Sequence, residues 1–452
     1  MSDRPDASVE IRIGLGSCCQ DHGSAEVYRA ARAEVRALRS PATVRPGGCT
    51  GMCHHMPLVE FIRPDGQVSR YARVTPDAVP AIVRGELHPV GLAAAGKDAL
   101  RRAWRRLMRE RGARDHLLRE DDPSLRQFLS AQVHIVTAGC GRMDPIDIGE
   151  YRAQGGYEAL TWALLHSTPP EVVAEVHRSG LRGRDAAGMP TGLKWYRVAR
   201  QVERPKTVLC CADEQDGGGL ADRMLLEAYP HRVLEGALIA AVAVGAEEVL
   251  FYLPRRHALA VEHLAQAIAQ AKGAGFLGWG ILGTNLGMTA RIVQSAEASV
   301  FADEDALIAA VDAAGVCDPA LSGRPTLVNN AETLAAVPWI LRQGAAAYAA
   351  LGTPTSPGTK LFVLAGNIER PGLIEVPMGT TIRQIVMDLG GGAPEGGAFK
   401  AVQIGGSRGG CIPAELADTP IDYEALAAAG ASMGSSLVVL PETPVPAATC
   451  AP

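Results

Sequence analysis

A glycine-rich, cationic stretch in the middle of the chain constrains the fold more than any other segment. Residues 179–195 read SGLRGRDAAGMPTGLKW and contain four glycines, two arginines and one lysine. Apolar residues at helical spacing lie on both sides of it, at 170–178 and 193–201. A glycine-rich turn that opens a helix lets backbone N–H groups approach an anion, and the helix dipole favours negative charge there. Two interpretations remain open at this point: a phosphate-binding loop with Lys194 beside it, or an ordinary surface loop.

Length and composition narrow the class of protein. The chain has 452 residues, a net charge of −5, 50 glycines and 30 prolines. These values predict several domains of a loop-rich α/β enzyme and argue against nucleic-acid binding. No apolar run is long enough to span a bilayer, and the N-terminus lacks the basic and apolar regions of a signal peptide. We therefore expect a cytoplasmic protein without a membrane span, whose ten cysteines are thiols or metal ligands rather than disulfides.

Four of the cysteines lie in the first 53 residues. Residue patterning predicts the order βαβββα for this region, which is the order of a small thioredoxin-like domain. Cys18 and Cys19 fall on the loop after the first strand, and Cys49 and Cys53 fall on the loop after the second. Four thiolates suit a two-iron, two-sulfur cluster.

The adjacent pair of cysteines complicates that interpretation. Neighbouring side chains diverge, so ligation by both Cys18 and Cys19 would need a special backbone. A histidine could substitute for one of them, and the candidates are His22, His54 and His55. The alternative is a thioredoxin-like domain that has lost its cluster.

Specific motifs carry a family resemblance. SGLRGR-x-x-AG-x-PTGLKW resembles the flavin-binding loop of the FMN-containing, NADH-oxidising subunits of respiratory complex I, NAD-linked formate dehydrogenases and NAD-reducing hydrogenases. The resemblance runs with gaps from Val133 to Thr449. GC-x-G-x-C at 48–53 resembles the thioredoxin-like ferredoxins that partner or fuse to these subunits.

The resemblance and the residue patterns together predict an α/β protein with three domains. The middle domain is expected to be Rossmann-like, and residues 358–404 have the strand and helix pattern of a β-grasp, ubiquitin-like SLBB module. The predicted boundaries are 1–88 for the thioredoxin-like [2Fe-2S] domain, 89–130 for a linker and basic helix, 131–340 for the FMN/NADH-binding domain, and 341–452 for the SLBB-like domain and tail.

The resemblance also implies a function. The chain would transfer hydride between NAD(H) and FMN and pass single electrons to iron–sulfur centres of a larger complex, which would be formate dehydrogenase, hydrogenase or complex I-like. Asp216 and Glu304 are the implied catalytic residues. The implied cofactor-binding residues are Gly183, Arg184, Gly188, Lys194, Asp213, Glu214, Asp303, Glu304, Asn329 and Asn330. The implied cluster ligands are Cys18, Cys19, Cys49 and Cys53.

Several positions depart from the family pattern. Cys211 replaces an asparagine, Asp216 shortens a glutamate near the nicotinamide, and Ser299 replaces a tyrosine. Met189 stands where the glycine loop usually carries an aromatic residue, and a phenylalanine-bearing segment is missing between 311 and 321. These losses favour two alternatives: a structural or adaptor subunit that keeps the fold without oxidising NADH, and FMN-dependent transfer from another donor.

Four further features lead to separate expectations. The arginine-rich helix predicted at 98–111 is either a docking helix for an acidic partner or an ordinary solvated face. Cys411 is expected to be a buried structural thiol. The spacing C-x-x-C-x-x-C does not occur, so we expect no four-iron cluster on this chain's own residues. Asn330 could alternatively serve as a helix N-cap.

Overall fold

The computed structural model describes residues 8–87, 116–118, 122–212, 220–295, 303–315 and 320–442, without the side chains of 407 and 408. The chain packs as two compact units, one made of 1–126 with 140–144 and the other of 127–139 with 145–452. The arginine-rich helix predicted at 98–111 lies outside the described residues. Within the described ranges, no helix combines the length and apolar character needed to cross a bilayer.

The first unit contains the predicted order βαβββα around a mixed sheet, with a short additional helix after the first strand and a short additional strand at the end. Its elements are β1 Glu10–Gly14, α1 Ser17–Asp21, α2 Ser24–Ala37, β2 Thr43–Gly47, β3 Val59–Ile62, β4 Val68–Tyr71, α3 Val79–Glu86 and β5 Leu117–Leu118. The strands lie in the order β2–β1–β3–β4–β5, and β1 pairs parallel with β2 and antiparallel with β3. Ile11 and Ile13, which alternate along β1, are fully buried and pack against the apolar residues of α2. Every second residue of the strand and every third or fourth residue of the helix therefore faces the core.

One local prediction in this unit is wrong. Cys18 and Cys19 do not lie on an irregular loop, because α1 begins directly after Gly16. The N–H of Gln20 donates to the carbonyl of Gly16 at 3.0 Å, which closes the first turn. A single helical turn of five residues is too short for its apolar periodicity to be recognised in the sequence.

The second unit begins at residue 127, within α4, and contains a largely parallel sheet enclosed by helices. Its elements up to residue 349 are α4 Pro123–Ser130, α5 Ile148–Ala153, α6 Glu158–Leu165, α7 Pro169–Arg178, α8 Thr191–Ala199, β6 Thr207–Cys211, α9 Leu220–Ala228, α10 Pro230–Val244, β7 Glu248–Pro254, α11 Ala258–Gly273, β8 Gly278–Trp279, β9 Gly287–Ser295, α12 Glu304–Ala313, β10 Thr326–Asn330, α13 Ala331–Gln343 and α14 Ala345–Ala349. The strand order is β10–β6–β7–β9–β8, with parallel pairing from β10 through β9.

Helix α10 lies at the centre of this unit. All fifteen of its residues are buried, and from Gly236 to Val244 its sequence is apolar on every side, whereas the first turns contain His231, Arg232 and Glu235. A Cβ atom on Gly236 would lie 1.9 Å from the carbonyl oxygen of Leu334, so the backbones of α10 and α13 are in direct contact. This contact fixes α13 against α10.

A second sheet follows in the C-terminal part. Its elements are β11 Thr359–Gly366, β12 Gly372–Pro377, a π-helix Gln384–Leu389, β13 Phe399–Ile404, α15 Gly406–Gly409, β14 Cys411–Pro413, α16 Tyr423–Ala428 and β15 Ser436–Pro441. The strand order is β12–β11–β15–β13–β14, with β11 parallel to β15 and the other pairs antiparallel. The predicted α/β class is confirmed. The exposed side chain of Cys411 shows that the prediction of a buried thiol is wrong, because β14 is an edge strand.

A buried ion pair joins α13 to β11. The ammonium group of Lys360 lies 2.6 Å from a carboxylate oxygen of Glu332, and both side chains are almost completely inaccessible to solvent. The other carboxylate oxygen of Glu332 accepts the N–H of Leu361 at 2.7 Å, and Lys360 also donates to Ser435 at 2.8 Å. Both charges are therefore paired and hydrogen-bonded, as burial requires.

We expect the substitution Lys360→Met to lower the free energy of unfolding by about 3–5 kcal/mol, because it leaves the Glu332 carboxylate buried without its counter-ion. Urea denaturation measures this. Adding Glu332→Gln should recover part of the loss, and Arg383→Met, which removes an exposed ion pair with Asp418, should change the stability much less. Equal losses for Lys360→Met and Arg383→Met would contradict the assignment.

Candidate functional site

The glycine-rich stretch folds into a closed loop between α7 and α8. The N–H of Gly183 donates to the carbonyl of Met189 at 2.8 Å, and the N–H of Thr191 donates to the carbonyl of Leu181 at 2.8 Å. Inside the loop, Asp185 Oδ1 accepts the N–H of Gly188 at 2.9 Å. The loop then leads directly into α8, so the predicted turn at a helix N-terminus is present.

Two of the glycines are required by packing. A Cβ atom at position 192 would lie 2.4 Å from the Cα atom of His177, so Gly192 allows α7 and α8 to approach closely. Gly188 has φ +55°, and a Cβ there would lie 2.4 Å from the ring of Tyr423. The glycines of this stretch are therefore needed for the packing of the helices and of the Tyr423 ring, and not only to let an anion approach the backbone.

Tyr423, at the start of α16, lies beneath the loop. Its hydroxyl donates to the carbonyl of Gly183 and lies 3.1 Å from the carbonyl of Asp185. The guanidinium of Arg182 stacks on its ring at 4.2 Å and donates to Glu424 at 2.7 Å. The sequence analysis missed Tyr423. This residue is more than 200 positions away from the loop, and no motif in the sequence indicates that the two are in contact.

Arg184 points into the protein. Its Nη2 donates to the hydroxyl of Tyr348 at 2.8 Å and to the carbonyl of Pro357 at 2.7 Å. Its backbone N–H donates to Thr333 Oγ1 at 2.9 Å, which ties the loop to the first turn of α13. Arg184 is 2 % exposed, and Nη1 has no hydrogen-bond partner among the residues that the structure describes.

The carboxyl ends of β6 and β10 meet below the loop. Cys211 pairs in register with Asn330, the last residue of β10. Asn330 is the N-cap of α13, and its Oδ1 accepts the N–H of Thr333 at 3.1 Å, so the helix-cap alternative is confirmed. Asn329 is buried, and its Oδ1 accepts the indole N–H of Trp195 at 2.9 Å.

The structure brings two other predicted residues together. The ammonium group of Lys194 forms an ion pair with the carboxylate of Glu304. Asp303 is the N-cap of α12, and its Oδ1 accepts the N–H of Ala306 at 2.9 Å. Glu304 is the first residue of α12. Asp213, Glu214 and Asp216 lie outside the described residues.

A cavity of about 160 Å³ lies between the loop, the strand ends and the C-terminal sheet. Among its lining residues are Arg184, Cys211, Asp222, Asp303, Glu304 and Asn330. Its volume is below the range of roughly 300–1,000 Å³ that is usual for ligand pockets. The segment 213–219, which directly follows β6, lies outside the described residues. The buried cation of Arg184 and the backbone amides of the loop fit an anionic ligand.

Asp222 is a cavity-lining residue that sequence reasoning missed. Its Oδ1 accepts the N–H of Glu332 at 3.1 Å, so this carboxyl also caps α13. Burial, with added repulsion from Glu332, raises the pKa of Asp222 to about 7. The sequence did contain a signal for it. Asp222 lies one helical turn before Leu225 and Leu226, so it falls on the same buried face of α9 as these two apolar residues.

A separate cluster of thiols lies in the first unit. The Sγ atoms of Cys18, Cys49 and Cys53 all lie within 4.8 Å of one another. Hydrogen bonding to Cys18 and burial raise the pKa of the Cys19 thiol. Hydrogen bonds with Cys18 and Cys53, together with burial, raise the pKa of Cys49. The four predicted ligands are therefore neighbours, but Cys19 lies outside the close triad, in line with the expected divergence of adjacent side chains.

Comparison with known proteins identifies the two domains around the cavity. The family model described as the Nuo51 FMN-binding domain matches residues 176–339, and the SLBB domain model matches residues 361–411. The NADP-reducing hydrogenase subunit HndC of Solidesulfovibrio fructosivorans is 43% identical over 321 residues, which cover 69% of this chain and 65% of HndC. The chain thus matches just under two thirds of the length of that relative.

Two further comparisons agree with these. The F 2 subunit of NADH-quinone oxidoreductase from Rhizobium meliloti (strain 1021) is 39% identical over 302 residues, covering 65% of this chain and 72% of the relative. The crystal structure of an NAD+-reducing [NiFe]-hydrogenase in the air-oxidized state matches with a TM-score of 0.56 and 25% identity, covering 97% of this chain and 70% of that one.

The pKa of Asp222 predicts a pH dependence of stability. Between its ordinary value of 3.8 and about 7, the folded protein holds a proton that the unfolded chain has released, so stability falls as pH rises through this window. We expect Asp222→Asn to remove this fall. The stability of the variant relative to wild type should increase from pH 4 to 7 and stay constant above. Urea midpoints across this range measure it, and parallel curves would contradict it.

Proposed function

This chain belongs to the family of the FMN-binding NADH-quinone oxidoreductase F subunits, and from that membership we propose that it transfers hydride between NAD(H) and FMN as a subunit of a larger redox complex. The observation that carries the proposal is the closed glycine loop, whose residues Arg184, Asp185 and Ala186 line a cavity at the carboxyl ends of β6 and β10. Ligands of open α/β sheets bind in this position.

The residues of the loop supply positive potential for the phosphate of FMN. The backbone N–H groups of Asp185, Ala186 and Ala187, the dipole of α8 and the ammonium group of Lys194 would bind it. Lys194 is paired with Glu304, so a phosphate would compete with that carboxylate for the ammonium group. When bound, FMN accepts two electrons from NADH and releases them singly.

The other predicted site residues are proposed to orient the cofactors. Asp213, Glu214 and Asp303 would accept hydrogen bonds from ribityl or ribose hydroxyls, and Asp216 and Glu304 would face the nicotinamide. Asn329 and Asn330 would keep polar groups at the strand ends, although their Oδ1 atoms already accept bonds from Trp195 and Thr333. Their amide N–H₂ groups would be the donors available to a flavin.

We propose that the electrons leave through iron–sulfur centres. The thiol cluster offers the number of thiolates that a [2Fe-2S] cluster takes, with Cys18, Cys49 and Cys53 closest together and Cys19 beside Cys18. Partners would be the other subunits of a formate dehydrogenase, hydrogenase or complex I-like assembly. A cytoplasmic location stays a prediction.

A second candidate is a structural or adaptor subunit that does not oxidise NADH. Two observations favour it: Lys194 is already neutralised by Glu304, and the cavity is small. Two of the positions that depart from the family pattern belong to the site itself, because Cys211 ends β6 and Met189 lies in the glycine loop. Direct measurement of flavin reduction separates the two functions.

We expect the protein reconstituted with FMN to show the flavin's visible absorbance and to lose it on anaerobic mixing with NADH. Lys194→Met should weaken FMN binding by roughly 10- to 100-fold, the loss expected for a hydrogen bond to a charged group. Flavin fluorescence titration measures the affinity, and stopped-flow absorbance measures the reduction.

The matched control is Lys272→Met, which removes an exposed lysine at the end of α11. This variant should bind FMN as wild type does. Protein that binds FMN without bleaching by NADH would favour the adaptor. Protein that binds no FMN at all would refute the proposed function.

The cluster proposal has its own test. Purified under anaerobic conditions, the wild type should contain iron and acid-labile sulfide, and Cys18→Ser or Cys49→Ser should remove most of both. Cys411→Ser, an exposed thiol in the second unit, is the control and should retain them. Iron-free protein, or one zinc ion per chain without sulfide, would overturn the [2Fe-2S] assignment.

A further inference from the structure

We propose that Tyr423, in the C-terminal SLBB-like part, is a positioning residue that sets the orientation of the phosphate-binding loop. This inference rests on the proposed function, because it assumes that FMN binds at the loop. It extends that function by assigning part of the phosphate affinity to a residue outside the matched FMN-binding domain, which ends at 339.

Tyr423 is held firmly in place. It is buried, and it follows Asp422, the N-cap of α16. Asp422 also accepts hydrogen bonds from the hydroxyls of Thr353 and Thr355, at 2.5 and 3.0 Å. The ring of Tyr423 is enclosed by Gly188 on one side and by the guanidinium of Arg182. The hydroxyl therefore has a fixed position relative to the loop.

The hydroxyl fixes two peptide groups of the loop. It donates to the carbonyl of Gly183 and contacts the carbonyl of Asp185 at 3.1 Å. In a trans peptide the N–H points opposite to the C=O, so the N–H groups of Arg184 and Ala186 are directed away from Tyr423. The N–H of Arg184 accordingly reaches Thr333 Oγ1 at 2.9 Å.

Of these two amides, the N–H of Ala186 is the one that we assign to ligand binding. Ala186 lines the cavity together with Arg184 and Asp185. An N–H held toward that space is a donor for a phosphate oxygen, and a preoriented donor saves the cost of ordering the loop on binding. Without the hydroxyl, the peptide groups at 183 and 185 lose their common partner, and the amide of Ala186 is no longer fixed.

The test compares FMN with riboflavin, which lacks the phosphate, as two probes of the same protein. Tyr423→Phe keeps the ring against Gly188 and Arg182 and removes only the hydroxyl. We expect it to weaken FMN binding roughly three- to tenfold, the effect of one hydrogen bond, and to leave riboflavin binding unchanged. Tyr196→Phe is the matched control, because the exposed hydroxyl of Tyr196 bonds to Arg200.

The outcomes separate the two proposals. A variant that binds FMN as tightly as the wild type does, or that loses FMN and riboflavin affinity equally, overturns the role of Tyr423 while the proposed function stands. Urea midpoints of the cofactor-free proteins show whether the variant is folded. Wild-type protein that binds no FMN refutes the proposed function, and this inference with it.

Discussion

The first turn of α13 holds the site together. Its backbone N–H at Glu332 is capped by Asp222, and the carboxylate of Glu332 is paired with Lys360 of the C-terminal sheet. One residue later, Thr333 Oγ1 accepts the N–H of Arg184 from the glycine loop. Three segments far apart in sequence are thus fixed by one helical turn. The positions of the loop, the strand ends and the C-terminal sheet around the cavity all depend on it.

Buried charged side chains join segments that are far apart in the sequence. A second example is Glu375 on β12, whose carboxylate accepts the backbone N–H groups of Ile135, Val136 and Thr137 at 2.9–3.0 Å. Such groups cost free energy when they are buried and repay it only when every partner is in place. They therefore add little net stability but permit only one arrangement of the segments, which suits a site whose residues come from several parts of the chain.

The sequence predicted the regular elements better than the side-chain contacts. The strand β6, Thr207–Cys211, can be recognised from the sequence because its buried apolar run is typical of a central parallel strand. The helix α1 was missed because a turn of five residues is too short to show apolar periodicity. Glycine spacing located the loop, whereas the partners of that loop could not be predicted, since Tyr423 and Thr333 reach it only through the tertiary fold.

For the site residues, too, the sequence predicts which residues belong to the site but not which of them are in contact. A family pattern can place Lys194 and Glu304 in one site, but it cannot show that they pair with each other. Similarly, the four cysteines could be grouped by their loops, yet the close triad of Cys18, Cys49 and Cys53 depends on the direction in which α1 turns its side chains.

The contact between Gly188 and Tyr423 has a consequence for how such chains diverge. A methyl group at 188 has no room while the ring is present, and removal of the ring opens a space against a residue that has no side chain to fill it. A change at either position alone is therefore unfavourable. Because the left-handed backbone at 188 would strain any side chain even after loss of the ring, chains that share this arrangement should keep the glycine and the tyrosine together.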